Sequence, residues 1–172
     1  GDVYKRQGPN HPFKPGFLWE AGIEKLIPIG IRGVIWYQGE SNAETAARAQ
    51  QHEMLFPLLI SEWRKNWNQG DFPFLFVQLP ALNRPHWPEF REGQRNVLTK
   101  LKNLGMAITI DTGHETKVHP VVKEPVGERL ALWAMKLAYS KGKAEYSGPL
   151  FTVAEREGDS MVVSFDHVGE GL

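Results

Sequence analysis

Apolar residues fall along this chain in two rhythms. Short dense runs rich in β-branched and aromatic residues, IRGVIWY (31–37), PFLFVQL (73–79) and MAITID (106–111), predict three buried strands. Between them the spacing lengthens to three and four residues. Met54, Leu55, Leu58, Leu59 and Trp63 predict one apolar face on a helix over about 43–67, with Pro57 expected to kink or split it. A second helix is expected over about 89–104, with Gly105 suited to its C-terminal cap. A third, over about 125–139, sets Val126, Leu130, Trp133, Ala134 and Leu137 on one face and Pro125 in its first turn.

Strands alternating with helices predict a parallel sheet covered on both faces, because parallel strands need crossover connections that lie on the sheet. The fold class is therefore α/β, a partial three-layer α/β/α arrangement over 8–142. After Gly142 the rhythm changes. Residues 150–154 and 161–165 read as two strands around the turn EREGDS, the start of a β-rich segment over 143–172. Since an isolated hairpin is marginal in water, the chain is expected to be cut short there. At the other end, Asp2 to Gln7 resemble the translation of a sequencing-adaptor end, so 1–7 is set aside as a non-native segment.

Composition narrows the function. Twenty basic residues balance twenty acidic ones, which gives no field to attract nucleic acid or an anionic membrane. No apolar run has the length of a membrane span. There are no cysteines, which excludes thiolate chemistry and disulfides. No cofactor motif is present.

In open parallel sheets ligands bind beyond the carboxyl ends of the strands. Three segments qualify: Gln38–Asn42, Pro80–Pro88 and Gly113–Lys123. The first reads QGESN, polar and sharply turned. Its backbone N–H groups and the side chains of Gln38 or Asn42 are able to donate to a developing oxyanion, or else Ser41 or Asn42 simply caps the following helix with Glu44 in the first turn. It misses the second glycine of a nucleophile elbow, so Ser41 is not assigned as nucleophile. In the third segment His119 precedes Pro120, which favours an extended backbone, and its imidazole suits a general base. His114, Glu115 and His119 lack tight metal-ligand spacing, so no metal site is assigned. In the second segment His86 and Trp87 either stack on a sugar or plug the loop.

The strings IRGVIWYQGESNAE, LFPLLISEWRKNW, PFLFVQLP, WPEFREGQRNVL, MAITIDTG, VHPVVKEPVGERLALWA and YSGPLF resemble, in order, the sialate O-acetylesterase family of the SGNH hydrolase group. That resemblance implies a flavodoxin-like sheet and a serine–histidine acyl-enzyme mechanism acting on acetyl esters of sialic acids, with an acetylated sugar as the partner. An acetylated xylan or another polysaccharide is the alternative substrate. A carbohydrate-binding module without catalysis is the alternative of another class. The resemblance makes His119 the base and places Gln38, Gly39, Glu40 and Asn42 in the oxyanion loop. It also implies a serine nearer the N-terminus in a GQSN-like motif, and no such string exists before residue 31, so this chain by itself is expected to be inactive. Lys117 stands where the family often has an acid. Glu115 or Asp111 then orients the imidazole, or a dyad suffices. Export to a secreted or periplasmic location is common in the family.

Overall fold

A computed structural model describes residues 14–142 and 145–171, so the segment 1–7 lies outside the described residues. Its centre is a three-stranded parallel sheet, β1 (Val34–Trp36), β2 (Phe74–Val77) and β3 (Leu104–Ala107), in the order β1-β2-β3. Val34 pairs with Phe74, and Phe74 with Leu104. All four residues of β2 are buried, and its alternation divides the core. Phe74 and Phe76 face Phe56 and Ile60 of helix α1 (Ala46–Trp67) and Val97 of α2 (Trp87–Val97). Leu75 and Val77 face Val126, Leu130 and Trp133 of α3 (Glu124–Leu137). Helices thus cover both faces, and the architecture is α/β. β1 pairs only with β2 among the described residues, and Ile35 is 65% exposed on it.

Helix α1 departs from its expected form in three ways. Its N-cap is Thr45, whose hydroxyl accepts the Arg48 N–H at 3.3 Å, rather than Ser41 or Asn42. It runs unbroken through Pro57. The helix keeps its course because Phe56 and Ile60, on either side of the proline, are locked into the core at 3% and 0% exposure. Its buried face is Ala49, His52, Phe56, Ile60, Arg64 and Trp67, whereas Met54, Leu55 and Leu58 are exposed. Two polar residues disguise the true face. His52 packs as an aromatic, its ring 5.0 Å from Phe56 and 4.5 Å from Phe90. The Arg64 guanidinium donates to the carbonyls of Phe72, Lys102 and Asn103, tying together the entries of β2 and β3.

Helix α2 ends at Val97, earlier than expected, and Asn103 (φ 55°) makes the turn into β3. Gly105 is therefore a strand residue and not a cap. Its missing side chain makes room for the Trp133 indole, which would lie 2.6 Å from a Cβ there. Helix α3 buries the expected Val126, Leu130 and Trp133. The last element is an antiparallel hairpin, β4 (Leu150–Glu157) and β5 (Ser160–Asp166), forming its own two-stranded sheet. Among the described residues no helix is long and apolar enough to cross a membrane.

Candidate active site

Because β1, β2 and β3 are parallel, the loops that follow them emerge at one end of the sheet. After β1, the chain turns at Gly39, which has φ +151°. Its carbonyl accepts the N–H groups of Asn42 and Ala43 at 2.9 and 3.1 Å. Its own N–H donates to the Glu40 carboxylate at 3.0 Å. Gln38 Nε2 donates to Asn42 Oδ1 at 2.7 Å, which leaves the Asn42 amide hydrogens free to donate. Ala43, 1% exposed, anchors the turn in a cluster with Leu79, Trp87 and Phe90.

The loop after β2 is fixed from inside. The buried Gln94 side chain accepts from Leu79 N at 2.9 Å and donates to Val77 O at 3.1 Å, holding the end of the strand. Trp87 is 1% exposed and donates its indole N–H to Pro80 O at 2.7 Å, so it plugs the loop and offers no face to a sugar. The loop after β3 is laced to this one: His114 N donates to Ala81 O and Asn83 N to Glu115 O, both at 3.0 Å. Thr109 Oγ1 adds a bond to Gln78 O.

These loops bring two of the sequence-derived candidates into one cavity. Glu40, Ser41, Glu44, Arg84, Val118 and His119 line an open pocket of about 400 Å³. His119 is exposed in it, on a loop seated by the buried Pro120. Glu44 is engaged with Arg48. The other candidates lie elsewhere. Both Asp111 oxygens accept from Arg129 at 2.6 and 2.7 Å, and that bonding holds the Asp111 carboxyl below the usual carboxylate range. Glu115 lines a neighbouring cavity with His114, Asn83 and Gly113. His114 Nδ1 accepts the Thr116 N–H at 3.1 Å and thus staples its own loop. Among the described residues no three His, Asp or Glu side chains are grouped to hold a metal ion.

Two residues of this region escape a reading of motifs. Tyr37, just after β1, carries the Lys123 ammonium 4.6 Å above its ring, and burial followed by the charge of Glu40 raises its hydroxyl pKa. Arg84 lies in an otherwise undistinguished loop, and only its position three residues before the plugging Trp87 marks it.

Residues 19–135 match the family model described as "Carbohydrate esterase, sialic acid-specific acetylesterase". The chain is 33% identical over 160 residues to the sialate O-acetylesterase of Mus musculus, covering 81% of this chain and 29% of the mouse protein. The Homo sapiens sialate O-acetylesterase is 32% identical over the same length, with 30% of it covered. Among solved structures, a carbohydrate acetylesterase from Xanthomonas citri superposes with a TM-score of 0.76 at 38% identity, over 83% of this chain and 34% of that one. The chain thus spans about three tenths of the length of the curated relatives it matches.

Proposed function

The chain belongs to the carbohydrate esterase, sialic acid-specific acetylesterase family, and on that premise we propose that it forms the histidine-bearing part of the active site of a carbohydrate O-acetylesterase. The proposed substrates are acetyl esters of sialic acids. The observation that carries this reading is the cavity shared by His119 and the QGES turn at the carboxyl ends of the strands.

In the full-length protein a serine hydroxyl attacks the acetyl carbonyl while His119 takes its proton. The tetrahedral oxyanion is held by donors of the turn after β1, for which the Asn42 amide and the second Gln38 amide hydrogen are free, and the Gly39 N–H once Glu40 moves off it. His119 then returns the proton to the departing sugar oxygen. Water, activated by the same imidazole, cleaves the acetyl-enzyme and releases acetate. No GQSN-like string precedes β1, where the family resemblance places the nucleophile, and Ser41, in GESN, lies in the turn after that strand. The nucleophile of this reading is a serine supplied by the full-length protein.

The orienting carboxylate is proposed to be Glu40. Lys117 has the wrong charge and Asp111 is committed to Arg129. Glu115 opens on a different cavity, and Glu44 is paired with Arg48. Glu40 shares the cavity with His119, and among the described residues its side chain is bonded only to the neighbouring Gly39 N–H. Moving off that N–H would both free an oxyanion donor and bring the carboxylate to the imidazole.

The test is acetate release from O-acetylated sialic acid by the full-length protein and its His119→Ala variant. Loss of roughly a hundred- to ten-thousand-fold in kcat with an unchanged melt is expected. Near-normal turnover by the variant would remove His119 from the mechanism.

A further inference from the structure

We infer that Arg84 recognises a carboxylate on the acetylated sugar, so that the site takes acidic sugars in preference to neutral ones; this rests on the esterase reading above. Among the described residues, the arginine side chains of the folded body are nearly all committed. Arg48 pairs with Glu44, Arg64 with backbone carbonyls, Arg91 with Gln78, Arg95 with Glu92 and Arg129 with Asp111. Arg84 has no hydrogen-bonded or ionic side-chain partner among the described residues. Arg32 shares that property, but it lies before β1, at the opposite end of the strands from His119. An exposed arginine without a partner is ordinary in itself. What sets Arg84 apart is that it is held in place and lines the cavity of the proposed base.

Its guanidinium carbon lies 5.6 Å from the centroid of the Trp87 ring, and that ring is immobile. A cation resting on an indole face keeps its outward N–H groups free while its position is fixed. The backbone is fixed too: Arg84 N donates to Leu82 O at 3.0 Å and Trp87 N to Arg84 O at 3.2 Å. The two bonds between the 81–83 and 114–115 segments set this loop against the one that carries His119. Neither acid of the cavity pairs with it among the described residues: Glu44 is paired with Arg48, and the Glu40 carboxylate accepts the Gly39 N–H. The cavity therefore holds a pre-positioned planar donor fork beside the base, with neither lining carboxylate bonded to it. A guanidinium fork matches a carboxylate with two parallel hydrogen bonds, and a neutral sugar hydroxyl offers no such match.

The experiment uses the full-length protein and two readouts. In the first, N-acetylneuraminic acid and its carboxyl methyl ester are titrated into wild type, Arg84→Gln and Arg84→Lys. Wild type should prefer the free acid. Arg84→Gln should lose that preference through a roughly 10- to 100-fold weaker binding of the acid, the scale of a charge-assisted pair. Arg84→Lys should keep part of it, since lysine supplies the charge without the fork. In the second, the ratio of kcat/KM for O-acetylated sialic acid to that for an acetylated neutral xyloside should fall by a similar factor in Arg84→Gln, through KM. Equal binding of acid and ester by wild type, or an Arg84→Gln variant that keeps the preference, overturns the inference. Absence of acetate release from any acetyl ester by wild type would instead sink the esterase reading, while the binding arm would still decide the role of Arg84.

Discussion

The ring of Phe90 lies so close to Gly39 that a Cβ on that glycine would fall 2.5 Å from Phe90 Cζ. The same glycine has φ +151°, a backbone region that side chains other than glycine's rarely occupy. Helix α2 thus presses the turn after β1 into place, and behind Phe90 stands the His52 ring at 4.5 Å. Gly39→Ala should therefore cost about 2–4 kcal/mol of stability through overpacking and backbone strain together. Denaturant melts of Gly39→Ala, Phe90→Leu and the double variant test the cause. The alanine should cost clearly less in the Phe90→Leu background, because the two sites are coupled. Strict additivity would mean that Phe90 does not constrain the turn.

Glu40 and Asp111 make opposite predictions. If Glu40 orients His119, Glu40→Gln in the full-length protein should lower kcat by about 10²–10⁴, as when the carboxylate of a triad becomes an amide. Asp111→Asn loses an exposed ion pair with Arg129, and such pairs are worth about 1 kcal/mol or less, so it should act mainly on the melt. Steady-state acetate release from both variants decides the matter. A silent Glu40→Gln beside a crippled Asp111→Asn would transfer the orienting role to Asp111.

The sheet was legible in the sequence because each strand is a dense apolar run, of which FLFV in β2 is buried on both faces. Helix α3 was legible because its buried stripe is chemically apolar throughout. The face of α1 was not, since two of its inward positions are His52 and Arg64, and polarity pointed the wrong way. Burial is possible there because Phe56 and Phe90 accept an imidazole as a ring and three carbonyls absorb the Arg64 donors. At the site, His119 and the QGES turn stood out by their strings. That Asp111 is consumed by Arg129, that Trp87 is a plug and that Arg84 borders the cavity are facts of tertiary contact. No spacing along the chain encodes them.

His52 also makes stability depend on pH. It is 6% exposed, its Nδ1 has no hydrogen-bond partner, and burial among aromatic rings lowers its pKa from 6.5 to about 4. The folded state therefore resists the proton that the unfolded chain accepts. Stability is full above about pH 6.5 and falls as pH drops toward 4, because the unfolded state binds more protons in that window. Between pH 7 and pH 5 the loss from this residue should be about 2 kcal/mol. Staying above pH 5 avoids the range in which Glu92 and Asp111 contribute. Urea titrations of wild type and His52→Phe at the two pH values should differ in slope with pH, the phenylalanine protein losing much less. Parallel losses in both proteins would place the acid-sensitive group elsewhere.

The 172-residue chain on its own should not hydrolyse acetyl esters. An acyl-enzyme requires a hydroxyl or thiol delivered to the base, and the chain has no cysteine. Ser41 is the one serine that lines the cavity of His119, but its hydroxyl makes no hydrogen bond to that imidazole among the described residues. It sits instead in the turn whose Ser41 carbonyl is held by Arg48 at 3.4 Å. A free oxyanion site retains some catalysis without its nucleophile, so a trace above buffer is tolerable. Residues 8–172 would be assayed with p-nitrophenyl acetate beside His119→Ala and Ser41→Ala. Rates near buffer in all three fit a nucleophile supplied by the full-length protein. Turnover abolished by both substitutions would make Ser41 the nucleophile. Turnover abolished by His119→Ala alone would place another nucleophile within this chain, and either result would overturn the assignment made above.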